Sequence, residues 1–261
     1  MKNDIKIVFT DIDCTIFDHS RPPSRFDFRS IKELNRIQKK GVKVFLCTAR
    51  PYHSLNQIKL LDHIKPDGLI LANGGIVIID NKIIYQTTIK PKEFEWFCEL
   101  ALKYNANVEG IRPYDCFLIK EEDEAVHALF VTYPEEIPPI EDYHGQEVIG
   151  MTLFMHKDLD EEVKPQLPKD YYYFRYHDYG VDVSNEMHEK GKGVRVVLEY
   201  LGLSKDNAMA IGDDLQDIDM FKEVKYAVAM GNAKDEVKES STHITKTVTK
   251  HGVKAILRKL I

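Results

Sequence analysis

The feature that most restricts this chain is a rhythm. Apolar runs at residues 5–9, 42–47, 67–72 and 208–212 each stop at a polar cluster. The clusters are Asp11-Ile12-Asp13-Cys14-Thr15, Thr48-Ala49-Arg50, Asn73-Gly74-Gly75 and Asp213-Asp214-Leu215-Gln216-Asp217. Helical patterns follow the first two runs and the last. Ser24 or Asp27 can cap a helix through residue 40, with Ile31, Leu34 and Ile37 on one face and Gly41 at its end. Further helices are expected at 52–61, 193–201 and 217–221. Short buried strands alternating with helices form a parallel sheet, because a parallel pair needs a crossover long enough to hold a helix. In such sheets ligands gather outside the carboxyl ends of the strands.

From about residue 76 the rhythm changes. Residues 76–79 and 83–88 read as a hairpin around Asp80-Asn81. A helix at 91–104 follows, with Phe94, Phe97, Leu100 and Ala101 on its apolar side. Strands are expected at 107–111, 116–120, 148–155, 171–176 and 180–183, with helices at 121–130 and 159–167. Strands in pairs with helices between them describe an α+β insert carrying an antiparallel sheet. The fold class is therefore α/β: a parallel-sheet core made of residues 1–78 and 187–261, split by an inserted α+β domain at 79–186.

Composition narrows the function. A chain of 261 residues with 43% hydrophobic content can bury a core or two, and its net charge of −6 disfavours nucleic-acid binding by bulk electrostatics. No apolar run approaches the roughly 20 residues of a membrane helix. Met1-Lys2-Asn3-Asp4 leads straight into the first strand, which leaves no room for a signal peptide, so a cytoplasmic location is expected. Cys14, Cys47, Cys98 and Cys116 show no CxxC spacing and read as reduced thiols, not as a zinc site or a disulfide framework.

The strand-end clusters carry the chemistry. Asp11 and Asp13 are two carboxylates at the end of a buried strand, costly together unless a cation sits between them; Mg²⁺, which takes oxygen ligands, is the default. A second acidic cluster, at 213–217, ends another strand of the same sheet. With Thr48 and Lys190 these groups supply what phosphoryl transfer needs: a nucleophile, a carboxylate-held metal, and cations and hydroxyls for phosphate oxygens.

The residues Phe9-Thr10-Asp11-Ile12-Asp13-Cys14-Thr15 resemble the DxDGT motif of the haloacid dehalogenase superfamily of phosphatases. Thr48-Ala49-Arg50 resembles its second motif, Lys190-Gly191 its third, and Gly212-Asp213-Asp214-Leu215-Gln216-Asp217 its fourth. The run 227–233 and His251-Gly252-Val253 are similar to the Cof-like sugar-phosphate phosphatases with a type IIB cap. The match covers essentially the whole chain, with all four motifs in order. It implies a Rossmann-like core and a cap that sets substrate specificity.

The resemblance also implies roles. Asp11 is the nucleophile that forms an aspartyl-phosphate, and Asp13 the general acid and base. Mg²⁺ is bound by Asp11, the backbone carbonyl of Asp13, and Asp213, with Asp214 and Asp217 holding its waters. Thr48, Lys190 and Gln216 contact the phosphate. Arg50 and Asn73 are candidate substrate contacts by their strand-end positions. In the insert, Arg175 and His177 share one parity of the aromatic strand and are candidates to face the substrate. Each has a plainer rival: Lys190 as a solvated helix start with Lys192 as the true ligand, Asn73 as a turn residue, and Asp214 as a helix-start acid. Three positions depart from the family: Cys14 and Ala49 replace Gly, and Gln216 replaces Asn. Cys14 requires an unstrained φ where Gly is free, so the loop is expected to shift.

The expected function is a Mg²⁺-dependent phosphatase acting on small phosphate esters, sugar phosphates foremost, with neither nucleic acid nor membrane as partner. A phosphotransferase or phosphomutase on sugar phosphates, and a receiver-like phospho-Asp module, are the alternatives. The insert and the second acid at Asp13 weigh against the receiver.

Overall fold

The computed structural model describes residues 4–20, 23–132, 136–184 and 189–261. The expected boundary at 186/187 lies outside them. The chain divides into two compact units. The first holds the described residues of Met1–Arg50, Leu60–Tyr85 and Glu189–Ile261; the second holds those of Pro51–Lys59 and Gln86–His188.

The first unit is built on an eight-stranded sheet. Its order is His243–Ile244, Tyr226–Ala229, Ala208–Gly212, Ile7–Thr10, Lys43–Cys47, Gly68–Leu71, Ile76–Ile79 and Lys82–Gln86. The first six are parallel, and Ile76–Ile79 runs antiparallel to Gly68–Leu71. The strand Lys82–Gln86 belongs to this sheet, so the break falls several residues later than the expected 78/79. The segment 51–59 also groups with the second unit, which no local pattern announces.

Side-chain alternation sorts the two faces of this sheet. Ile7, Phe9, Phe45, Cys47, Ile70, Ala208 and Ala210 pack with Val194, Val197 and Leu198 of the helix Lys190–Leu201 and with Met220 and Phe221. Each Val, Leu, Ile, Phe or Met side chain among them contributes about 1.5–3 kcal/mol by leaving water. The helix Phe28–Gln38, capped by Asp27 as expected, packs against Gly252–Leu260. His251 pairs with Asp27 at 2.8 Å and Arg258 with Glu33 at 3.1 Å, joining the two chain ends.

The second unit carries a five-stranded sheet in the order Tyr172–His177, Gly180–Ser184, Gly150–Phe154, Asn107–Ile111 and Cys116–Leu118. Its pairs are antiparallel. Val108, Phe117, Met151, Leu153, Val181 and Val183 form one core with Phe94 and Phe97 of the helix Pro91–Lys103. The expected helix at 159–167 is α-helical only over Asp160–Val163, with 3₁₀ turns on either side.

Candidate active site

Parallel register brings the strand ends to one edge of the first unit's sheet. Thr10 lies opposite Leu46 on one side and Ile211 on the other. The Asp11 N–H donates to the Ile211 carbonyl at 2.9 Å, and the Thr48 N–H to Ile70 at 2.9 Å. Asp11, Thr48 and Asp213 are thus the first residues beyond three adjoining strands, with Asn73 two beyond a fourth.

Lys190 completes this edge. The helix carrying it begins at Lys190 itself, three residues earlier than expected, and buries that lysine to 4% exposure. Two glycines permit the approach. Gly74 has φ +92°, and a Cβ there would lie 2.2 Å from the Glu189 carbonyl. A Cβ on Gly191 would lie 2.5 Å from the Asp219 carbonyl. The Lys190 ammonium donates to Asp11 Oδ1 at 2.7 Å and to Asp217 Oδ1 at 2.6 Å. Lys192 instead lies over the Tyr85 ring, 4.8 Å from its centroid.

Asp11, Asp213 and Asp217 place carboxylate oxygens within 4.8 Å of one another. Asp217 Oδ2 accepts from the N–H groups of Asp213 (2.7 Å) and Asp214 (3.0 Å), which ties the strand-end loop to the helix Asp217–Phe221. Asp213 accepts from Thr15 at 3.1 Å and from Asn232 at 3.2 Å. Three carboxylates face one ammonium, an excess of negative charge that burial makes costly. Burial, with Asp217 beside it, pushes Asp213 up to about 7. Burial likewise raises Asp11, only partly opposed by Lys190. Lys190 stays charged: burial opposes its charge, but Asp11 and Asp217 outweigh it. A hard dication would relieve the same excess as a proton does, so this all-oxygen set fits a metal ion.

Asp13 is arranged differently. Arg50 donates to both its oxygens at 2.8 Å, and His19 Nε2 stands 2.6 Å from Oδ1. Burial acts to raise this carboxyl, yet Arg50 and His19 together hold it well below the usual range. Cys14 adopts a left-handed backbone of the kind a glycine takes freely, φ +54°, contrary to the expectation of an unstrained φ. Its N–H donates to Phe17 (2.7 Å) and its carbonyl accepts from Asn232 (3.0 Å), so the loop over-determines a conformation costing about 1–2 kcal/mol. Burial pushes its thiol up to about 12.

The remaining expected residues divide. Thr48 is fully buried, and its hydroxyl accepts from the Arg50 N–H at 3.1 Å. Asn73 adopts φ +53°, and its buried side-chain oxygen has no hydrogen-bond partner. Gln216 leads into the helix Asp217–Phe221 without a side-chain cap bond. Asp214 pairs with Lys234 at 2.9 Å and is half-exposed, apart from the carboxylate cluster. Arg175 and His177 lie in the second unit. Nε of Arg175 donates to Asp160 at 2.7 Å, Nη2 to Asp160 and Tyr173, and Nη1 to three backbone carbonyls. Its donors are spent within that unit, which removes the basis for a substrate-facing Arg175. His177 bonds Thr132 at 3.1 Å and accepts from the Tyr179 N–H at 3.2 Å. Sequence reasoning missed Thr15, His19 and Asn232. Asn232, three residues beyond the strand Tyr226–Ala229, shares the strand-end position of the others; His19 had no local signal.

Known proteins resemble this chain along almost its whole length. A family profile of haloacid dehalogenase-like hydrolases matches residues 8–257. YkrA of Bacillus subtilis, provisionally named a phosphatase, is 28% identical over 98% of both chains. A protein of Geobacillus kaustophilus, solved without a stated function, is 26% identical and superposes with a TM-score of 0.89, covering 98% of each chain. A solved subclass IIB sugar phosphatase shares the fold at 24% identity and TM-score 0.80, over 97% of this chain and 98% of that one. This chain belongs to the haloacid dehalogenase-like hydrolase family.

Proposed function

We propose that the protein hydrolyses phosphate monoesters of small metabolites, sugar phosphates foremost, through a phosphoryl group carried on Asp11, with Mg²⁺ as cofactor. The observation that carries this reading is the Lys190 ammonium held between Asp11 and Asp217, with Asp213 beside them. Asp11 and Asp213 are the carboxylates open to the metal, together with the Asp13 backbone carbonyl. Asp217 is engaged by Lys190 and two N–H groups and acts by holding the loop. Bound there, Mg²⁺ supplies positive charge that offsets the phosphoryl oxygens.

The chain's own groups divide the work. Lys190 keeps Asp11 oriented and lowers the repulsion between it and an incoming anion. The Asp11 carboxylate attacks phosphorus, and Asp13 protonates the departing oxygen. Asp13 then takes a proton from the water that attacks phosphorus and frees Asp11. In the structure Arg50 clamps Asp13 in its ionised form. A phosphoryl group competes for that guanidinium, and its release lets Asp13 carry a proton. Asn73's unpartnered oxygen suits a donor such as a sugar hydroxyl. The second unit, inserted in the chain of the first, is the proposed source of specificity.

The two acids separate in a test. Asp11→Asn should abolish turnover. Asp13→Asn should cost roughly 10²–10⁴-fold with a sugar phosphate, the range of general acid–base catalysis. With an aryl phosphate, whose leaving group needs little protonation, Asp13→Asn should give a phenolate burst near one equivalent and then stall. Normal turnover in Asp11→Asn, or equal losses on both substrates without a burst in Asp13→Asn, overturns the reading.

A further inference from the structure

We propose that His53, Glu109 and Cys116 form a second metal site, within the second unit, that takes a borderline-soft divalent cation such as Zn²⁺. Their nitrogen, oxygen and sulfur atoms all lie within 4.8 Å of one another. Cys116 Sγ is 3.1 Å from His53 Nε2, and Glu109 Oε1 is 3.7 Å from that same nitrogen.

The fold brings the three together from two places. Glu109 pairs with Leu118, and Ile111 with Cys116, in neighbouring antiparallel strands. Glu109 and Cys116 are therefore diagonal neighbours on one face. His53 comes from the helix Tyr52–Gln57, which is docked at both ends. The Tyr52 ring meets Tyr114 edge-on at 5.2 Å, and the Gln57 amide exchanges hydrogen bonds with the Glu136 backbone at 2.9 and 3.2 Å. The imidazole is thus aimed at the pair before any ion arrives.

The chemistry of the donors points the same way. Glu109 is 7% and Cys116 4% exposed, so a carboxylate and a thiol meet where charge is poorly solvated. Burial and Glu109 push the Cys116 thiol far up, which keeps it protonated in the absence of a cation. A metal replaces that proton: the S–H bond breaks, the proton leaves to solvent, and a metal–thiolate bond forms. Imidazole, carboxylate and thiolate suit zinc, whereas the all-oxygen set of the first unit suits Mg²⁺, so ligand softness separates the two. Three protein ligands leave a fourth tetrahedral position for water. The ion would fasten the segment that begins one residue after Arg50 to the sheet of the second unit.

The test uses the full chain, metal-stripped, with excess Mg²⁺ to fill the oxygen site, titrated with Co²⁺. Expected is a thiolate-to-cobalt charge-transfer band that saturates at one equivalent and is displaced by Zn²⁺. The band should vanish in Cys116→Ser and His53→Ala and persist in Cys14→Ser. Zn²⁺ should also raise the melting temperature of the wild type but of neither first variant. Should Cys116→Ser fail to fold, His53→Ala decides alone. Absence of the band in the wild type, its survival in Cys116→Ser or His53→Ala, or its loss in Cys14→Ser would mean that the three residues are only a hydrogen-bonded cluster.

Discussion

Replacing Lys190 by Met keeps most of the unbranched apolar stem and removes the charge. Asp11, Lys190 and Asp217 are 5%, 4% and 0% exposed, so solvent cannot take over the ammonium's role. Breaking a buried pair in this way costs about 3–5 kcal/mol, because a carboxylate is left uncompensated. Asp217 keeps two backbone N–H donors, at 2.7 and 3.0 Å, so the loss falls mainly on Asp11. Asp11 can escape by taking a proton, which sets a ceiling. From an ordinary carboxylate value of 3.8, protonation costs about 5 kcal/mol at pH 7.5 and about 2 kcal/mol at pH 5. The sign follows from linkage: a carboxyl with a folded-state pKa above its unfolded value loses stability as pH rises. Burial already raises Asp11 in the wild type, so the variant should lose at most about 3–5 kcal/mol in urea unfolding at pH 7.5, and no more than about 2 kcal/mol at pH 5. Millimolar Mg²⁺ should recover part of the loss at the higher pH, and turnover should be abolished throughout. A loss below about 1 kcal/mol at pH 7.5, or one that does not change with pH, refutes the reasoning.

Two further outcomes rest on local geometry. Gly74→Ala puts a Cβ 2.2 Å from the Glu189 carbonyl at φ +92°, and should cost about 2–3 kcal/mol while displacing the helix start that carries Lys190; thermal unfolding and kcat should fall together. Asp182, in the second unit, is raised by burial to about 7, eased only by the Thr152 hydroxyl at 3.2 Å. Its contribution is full below pH 4 and is lost as pH rises toward 7. Asp182→Asn should thus stabilise the protein by about 1–3 kcal/mol at pH 8 and lose that advantage near pH 4, measured by unfolding across that range.

The site was legible because its residues sit at strand ends. A parallel sheet aligns the carboxyl ends of its strands, so Asp11, Thr48 and Asp213 could be placed on one edge from apolar runs and breaks alone. The helix start at Lys190 was harder. Gly191 and Gly193 make residues 190–193 a poor helix by propensity, and close packing against Asp219 and Ile70 overrides that preference. Parity misled at Arg175. It identifies a face of a strand, but Asp160, fifteen residues away in sequence, claims the guanidinium.

What the sequence determined by itself was periodicity and punctuation: the strands, the helices, the order of the motifs, and the change of rhythm that marks an insert. These are local properties, fixed by side-chain alternation and by where glycine or acidic residues interrupt an apolar run. Only the tertiary structure decided the pairings. It set Arg50 and His19 against Asp13, kept Cys14 in a glycine's conformation, and gathered His53, Glu109 and Cys116 from positions with no metal-binding spacing. The physical reason is that a buried charge or donor is satisfied by whatever packing brings within about 3 Å, and that distance is set by sheet register and helix docking, which separation along the chain does not encode.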